Sequence, residues 1–212
     1  THKHTQTQTQ AQTETKTQKH AFSPTASTDI GLLRLQQARP VATPGDDSGP
    51  GEGDGMDAAL DEGMTQRFRS LTARANYLAA DRPDIQYAVK EMCRDISAPR
   101  RSSWSKLKRL GKFLVGKPRL VWTFVWEATC NEVDGYSDSN WAGCKDSRKS
   151  TSGGTVMLGS HVIRTWSKTQ TTIALSSAEA ELFGGVKTAC ETIGVASLLQ
   201  DLGQEVKVRM HM

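Results

Sequence analysis

The hydrophobic spacing of this chain changes at Pro118, and that change limits what it can fold into. Before it, Met64, Phe68, Leu71, Ala75 and Leu78 recur at steps of three and four, as on one face of a helix. Pro83 suits the first turn of a second helix, whose apolar stripe is Ile85, Ala88, Val89, Met92 and Ile96, ended near Pro99. A third begins near Ser102 or Ser103, both suited to an N-cap. It shows Trp104, Leu107, Leu110 and Leu114 on one side and stops at Gly116-Lys117-Pro118. After Pro118 the pattern is that of strands. LVWTFVW (120–126) is rich in β-branched and aromatic residues. VDGYS (133–137) leads into Asp138, and Thr155–Leu158 and Val162–Trp166 flank a Gly159-Ser160 turn. A long helix is predicted from about Ser177 to Leu202, with Gly203 as its stop. Val206, Val208, Met210 and Met212 then alternate with polar residues as a last strand. Strand, hairpin, helix, strand is the order of an α/β or α+β layered fold.

The segments ahead of Met64 are of another kind. Residues 1–20 alternate Thr and Gln and cannot build a core, so residues 1–29 are expected to form a disordered tail. Residues 30–38 suit a short helix, and 45–63, rich in Gly and acid, suit a flexible linker. Aromatic residues are only 6% of the chain, which agrees with part of it being unfolded. No run of about 18 apolar residues and no apolar leader is present, so no membrane is expected and the chain is placed inside the cell, in cytoplasm or nucleus. Cys93, Cys130, Cys144 and Cys190 form no CxxC pair and are expected as reduced thiols.

The net charge of +4 is unevenly spread. Residues 100–119 contain eight basic residues and no acidic one, whereas the flanking regions are each slightly acidic. A localised basic stripe is either a phosphate-binding face or a solvated helix face, and charge alone does not separate the two. Lys106, Lys108, Arg109 and Lys112 fall mostly off the apolar side of the third helix and are the candidate phosphate ligands.

Two carboxylates lie where strand ends meet helix starts. Hydrolysis of a phosphodiester is served by two Mg²⁺ ions held about 4 Å apart by Asp and Glu from separate elements. Asp138 follows a strand and precedes Ser139-Asn140-Trp141, so it is either a metal ligand or part of a turn. Glu179 opens the long helix. Ser176-Ser177-Ala178-Glu179 also reads as a capping box, with Ser176 as N-cap and Glu179 as its partner, and Glu181 is a competitor.

GYSDSNWAGCKDSRKSTSGG (135–154) followed by TWSKTQTTIALSSAEAEL (165–182) resembles the RNase H segment of copia-type retrotransposon Pol polyproteins. NYLAADRPDIQYAVKEMCR (76–94) and WSKLKRLGKFLVGKP (104–118) resemble the end of the reverse-transcriptase region before it, and RPVATPG (39–45) its upstream join. The resemblance covers about residues 30–212. It implies a helical end of a reverse-transcriptase-like region over 64–118. Over 119–212 it implies a C-terminally incomplete RNase H-like domain, a mixed sheet with a long central helix. It implies Asp138 and Glu179 as catalytic ligands of Mg²⁺ or Mn²⁺, two ions in the complete family site. It also implies an RNA–DNA hybrid as substrate and the rest of a Pol polyprotein as partner.

The family's third and fourth carboxylates have no match in this chain, nor does the polymerase Asp pair. Gly184 and Gly185 lie inside the predicted helix, where each costs roughly 1 kcal/mol relative to Ala. Two readings therefore stand beside each other: an enzyme that cleaves the RNA strand of RNA–DNA hybrids, and a catalytically dead remnant that still binds nucleic acid. A third is a translated fragment with no role. Arg148 and Lys149, in the loop before the hairpin, are either contacts to a nucleic-acid backbone or part of an exposed loop. Trp104, Trp122, Trp126, Trp141 and Trp166 are expected in the core more often than as base-stacking residues, and His161 and His211 carry no assigned role.

Overall fold

Three amphipathic helices pack around one apolar core. They are α1 (Glu62–Leu78), α2 (Pro83–Arg94) and α3 (Arg101–Gly116). The computed structural model describes residues 16–19, 35, 38–45, 57–127, 130–144 and 147–212. Phe68, Leu71, Ile85, Val89, Met92, Leu107, Leu110 and Leu114, from the stripes predicted by spacing, are buried together with Phe113, which lies outside them. Asp61 caps α1 through its carboxylate, which accepts from the Met64 N–H at 2.7 Å. Pro83 stands at the start of α2, as expected. Buried Arg82 ties that start to the end of α3, pairing with Asp84 at 2.8 Å and donating to the Lys117 carbonyl at 3.0 Å.

The start of α3 differs from the prediction. Its N-cap is Arg100, not Ser102 or Ser103. Ser103 lies inside the first turn, where its hydroxyl accepts from the Arg100 N–H at 3.1 Å. The Ser102 N–H donates to Asp57, a residue too distant in sequence for local spacing to reveal.

Beyond α3 the chain turns to strands: β2 (Val121–Phe124), β3 (Glu132–Asn140), β4 (Thr151–Leu158), β5 (His161–Thr169) and, after helix α4 (Ser177–Asp201), β6 (Lys207–His211). A four-stranded sheet has the order β5-β4-β3-β6. β3–β4 and β4–β5 are antiparallel; β3–β6 is parallel, and α4 is the crossover between them. The hairpin turns at Gly159-Ser160, with Gly159 at positive φ, and Gly203, also at positive φ, follows α4. The fold is thus mixed α/β. β2 pairs with β1 (Lys16–Lys19), four residues of the Thr/Gln tail that had been expected to form no structure. Backbone pairing needs no apolar side chain, so a core-poor segment can still add to an edge strand. The helix expected over 30–38 and most of the linker expected over 45–63 lie outside the described residues.

α4 crosses one face of the sheet. Gly135 on β3 permits it: a methyl there would collide with Thr192 Oγ1 and meet Thr188 Cγ2 at 3.0 Å. Val133, Val156 and Trp166 form the core beneath, with Val195 and Leu199 of α4 against them. Gly184 and Gly185 are buried on the sheet side of α4. The opposite side is also apolar and exposed at Leu182, Val186, Ile193 and Leu198. By length and hydropathy α4 is the one described helix that could cross a membrane; here it lies on the sheet, with Lys187 and Glu191 paired at 2.9 Å along it.

The other face of the sheet meets the helical block through α2. Gln86 Nε2 donates to Thr165 Oγ1 at 2.9 Å, and Lys90 Nζ to Thr151 Oγ1 at 2.6 Å. α2 therefore has two working sides, an apolar one in the helical core and a polar one on the sheet.

Candidate functional site

Strand alternation decides where Asp138 points. The β3–β4 register runs without interruption from Val133 to Asn140, and neighbouring side chains leave opposite faces. Gly135 and Ser139 are against α4. Asp134, Tyr136, Asp138 and Asn140 consequently face the side of α2. Asp138 is exposed and borders a cleft of about 440 Å³ between α2 and the sheet, with Gln86, Tyr87, Asn140, Thr155 and Thr165 among its walls. Amides and hydroxyls line it beside the rings of Tyr87 and Trp166.

Glu179 sits in the first turn of α4, and its carboxylate is occupied. The Leu175 N–H donates to Glu179 Oε2 at 2.6 Å, and the Glu179 N–H donates to Ser176 Oγ at 3.2 Å. This is close to the capping box that spacing suggested, displaced by one residue: Glu179 accepts from the residue before the N-cap and not from the N-cap itself. Among the described residues no group of three or more His, Cys, Asp or Glu is placed to hold a metal ion. Gln170 Nε2 donates to Ser139 Oγ at 3.1 Å and to the Ala180 carbonyl at 2.8 Å, tying the strand end beside Asp138 to the helix start beside Glu179.

The acid that sequence reasoning passed over is Asp134. It is buried on β3, and Arg209 of β6 holds it at 2.8 and 3.0 Å through Nε and Nη2. His211 Nε2 lies 2.9 Å from the same carboxylate, and its ring stacks on Tyr136 at 4.4 Å. Arg209 also pairs with Glu132 at 2.8 Å. The hydrogen bonds from Arg209, then from His211, hold the Asp134 carboxyl down at about 2. The signal in the sequence was the period-two run Lys207, Arg209, His211, but only the parallel register, Asp134 beside Arg209, says which acid it meets.

The basic residues divide. Lys106 pairs with Asp95 at 3.0 Å. Arg109 donates to the Gly45 carbonyl at 3.1 Å and to Thr43 Oγ1 at 2.8 Å, stitching the upstream segment to α3. Lys108 is exposed and Lys112 half-buried. Arg148 and Lys149 stand in the β3–β4 loop, where Arg148 has φ +57° and is exposed.

A Pol polyprotein of transposon RE2 from Arabidopsis thaliana, described as retrovirus-related, is 36% identical over 136 residues, 64% of this chain. Another, from transposon TNT 1-94 of Nicotiana tabacum, is 32% identical over 130 residues. The chain is similar to a part of the retrovirus-related Pol polyproteins of copia-type transposons. It spans only 9% of the RE2 polyprotein and 10% of the TNT 1-94 polyprotein. A Secreted RxLR effector protein 161 of Plasmopara viticola is 38% identical over 104 residues, which is 49% of this chain and 72% of that protein. No protein-family model and no solved structure matches.

Asp138 lies on a cleft between the helical block and the sheet. The cleft was not legible in the sequence, because it depends on Gln86 and Lys90 bonding to residues more than sixty positions away.

Proposed function

We propose that this chain is the RNase H-like segment of a copia-type Pol polyprotein, joined to the end of its reverse-transcriptase region, and that it engages RNA–DNA hybrids. The observation that carries the reading is the arrangement around β3. An antiparallel hairpin stands on one side of it, a parallel strand reached through a long helix on the other, and Asp138 lies exposed towards the end of β3. Asp138 is the residue to which we assign the chemistry, with Glu179 as the second carboxylate. The family reaction is Mg²⁺- or Mn²⁺-dependent hydrolysis of the RNA strand. We assign that reaction to the whole polyprotein and hybrid binding to this chain. Lys108, Lys112, Arg148 and Lys149 are the side chains proposed to meet phosphates. Shape and 2′-hydroxyls would distinguish the hybrid from DNA.

The test is incubation of a labelled RNA–DNA hybrid with the 212-residue chain and with Asp138→Asn, in Mg²⁺ and in Mn²⁺. Salt-sensitive binding without cleavage is expected. Cleavage lost in Asp138→Asn would show that the carboxylates assemble on substrate. A chain that neither binds nor cuts the hybrid overturns the reading.

A further inference from the structure

We propose that Trp141 is a stacking platform for an unpaired base, with Arg148 and Lys149 beside it to hold the adjoining phosphates. The inference rests on the nucleic-acid reading above and adds a residue and a strand form to it.

Trp141 is outside both apolar cores. It stands one residue past the last β3–β4 rung, Asn140 with Thr151, and remains 46% exposed. Its position is nevertheless fixed. The indole Nε1–H donates to the Ala174 carbonyl at 3.0 Å, and Ala174 is itself buried. The next residue, Ala142, has φ +51°, an unfavourable conformation for a residue with a Cβ, and its N–H donates to Ser150 Oγ at 3.0 Å. An exposed aromatic ring anchored by its polar edge loses little entropy when something stacks on it.

The loop brings cations to this ring. The Cys144 N–H donates to the Lys149 carbonyl at 3.2 Å, and the Arg148 N–H to the Cys144 carbonyl at 2.8 Å. These bonds fold 142–144 back along 148–150, so Arg148 and Lys149 belong to the same short loop that Trp141 opens. Arg148 is held at positive φ and exposed. Ile173 and Leu175, on either side of the anchoring Ala174, are exposed and supply an apolar rim. An aromatic face with an apolar rim and adjoining cations is complementary to a base and its phosphates. Trp126 is more exposed but lies beside Glu127, whose charge repels a phosphate. A paired base has both faces covered by its neighbours, so the ligand is an unpaired nucleotide, as in a single-stranded overhang of a hybrid.

Binding of two fluorescent RNA–DNA hybrids, one blunt and one with a single-stranded DNA overhang, to the full chain tests this. Trp141→Phe and Trp141→Leu both lose the indole N–H, but only Phe keeps a stacking face. Leu is expected to weaken overhang binding about 5- to 100-fold and Phe by much less, the blunt hybrid staying within about twofold for both. The salt dependence should be unchanged, because no phosphate contact is removed. If Leu and Phe bind the overhang equally, or if blunt and overhang hybrids weaken together, the stacking role is wrong while hybrid binding stands. If the unaltered chain binds neither hybrid, the reading on which this one rests has failed first.

Discussion

Arg209 of β6 grips Asp134 of β3 with two nitrogens of its guanidinium, and this is the polar tie between the last strand and the rest of the sheet. Among the described residues no strand pairs with the other side of β6, which is exposed along its length. Apart from the backbone ladder, its attachment on this face rests on one buried carboxylate and the two basic side chains around it.

The first prediction is a pH dependence. A carboxyl held at about 2 when folded, below its ordinary value of 3.8, stabilises the fold above that ordinary value and ceases to do so as pH falls towards 2. Thermal melting followed by circular dichroism should show the unaltered chain losing stability between pH 4 and 2. Asp134→Asn should be less stable at neutral pH by about 2 kcal/mol, and should lose less than the unaltered chain over the acid range. Equal acid losses in both proteins would mean that other carboxylates control the transition.

The second concerns the seat of α4. Gly135→Ala places a methyl into Thr192 Oγ1, with Met210 Sδ and Thr188 Cγ2 both at 3.0 Å, and is expected to cost about 1–3 kcal/mol. Thr192→Ala in the same chain removes the first of these obstacles. Urea unfolding should therefore show part of the loss recovered in the double variant, and strictly additive losses would argue against close packing at Gly135.

The third separates capping from chemistry at Glu179. If its carboxylate serves the Leu175 N–H, Glu179→Ala lowers stability by about 1 kcal/mol. Asp138→Ala, exposed and outside any cap, stays within about 0.5 kcal/mol of the unaltered chain. Differential scanning calorimetry on the two variants decides it. A neutral Glu179→Ala would leave the carboxylate free for another role.

Spacing was enough to find the three helices, the hairpin, α4 and β6, because each carries its own period and its own stop: Pro83, Pro118, Gly159, Gly203. It could not find the cap of α3, which depends on Asp57, or the strand at Lys16–Lys19, which needs only backbone partners. The site was legible as residues and not as an arrangement. Asp138 and Glu179 could be named from their positions at element ends, but which face each takes depends on the β3–β4 register and on where α4 lands. Trp141 looked like a core residue by type, and only its place beyond the last rung puts it outside. Trp166 shows the converse: it is buried because Gly154 opposite it leaves room for the ring.

The last prediction concerns the basic helix, whose charges are not equivalent. Lys106 already has Asp95 at 3.0 Å, and Arg109 spends its donors on Gly45 and Thr43. Lys108 is exposed, and no acid is paired with it among the described residues. A phosphate competing for Lys106 must displace Asp95, whereas one meeting Lys108 displaces only water and counterions. If α3 contacts the hybrid, Lys108→Ala should lower the slope of log affinity against log salt by about 0.9, one phosphate, and Lys106→Ala by less. Titrations across a salt series with both variants read this directly. Equal slopes for Lys108→Ala and the unaltered chain would remove α3 from the interface and leave the β3–β4 loop, with Arg148 and Lys149, as the place where phosphates are held.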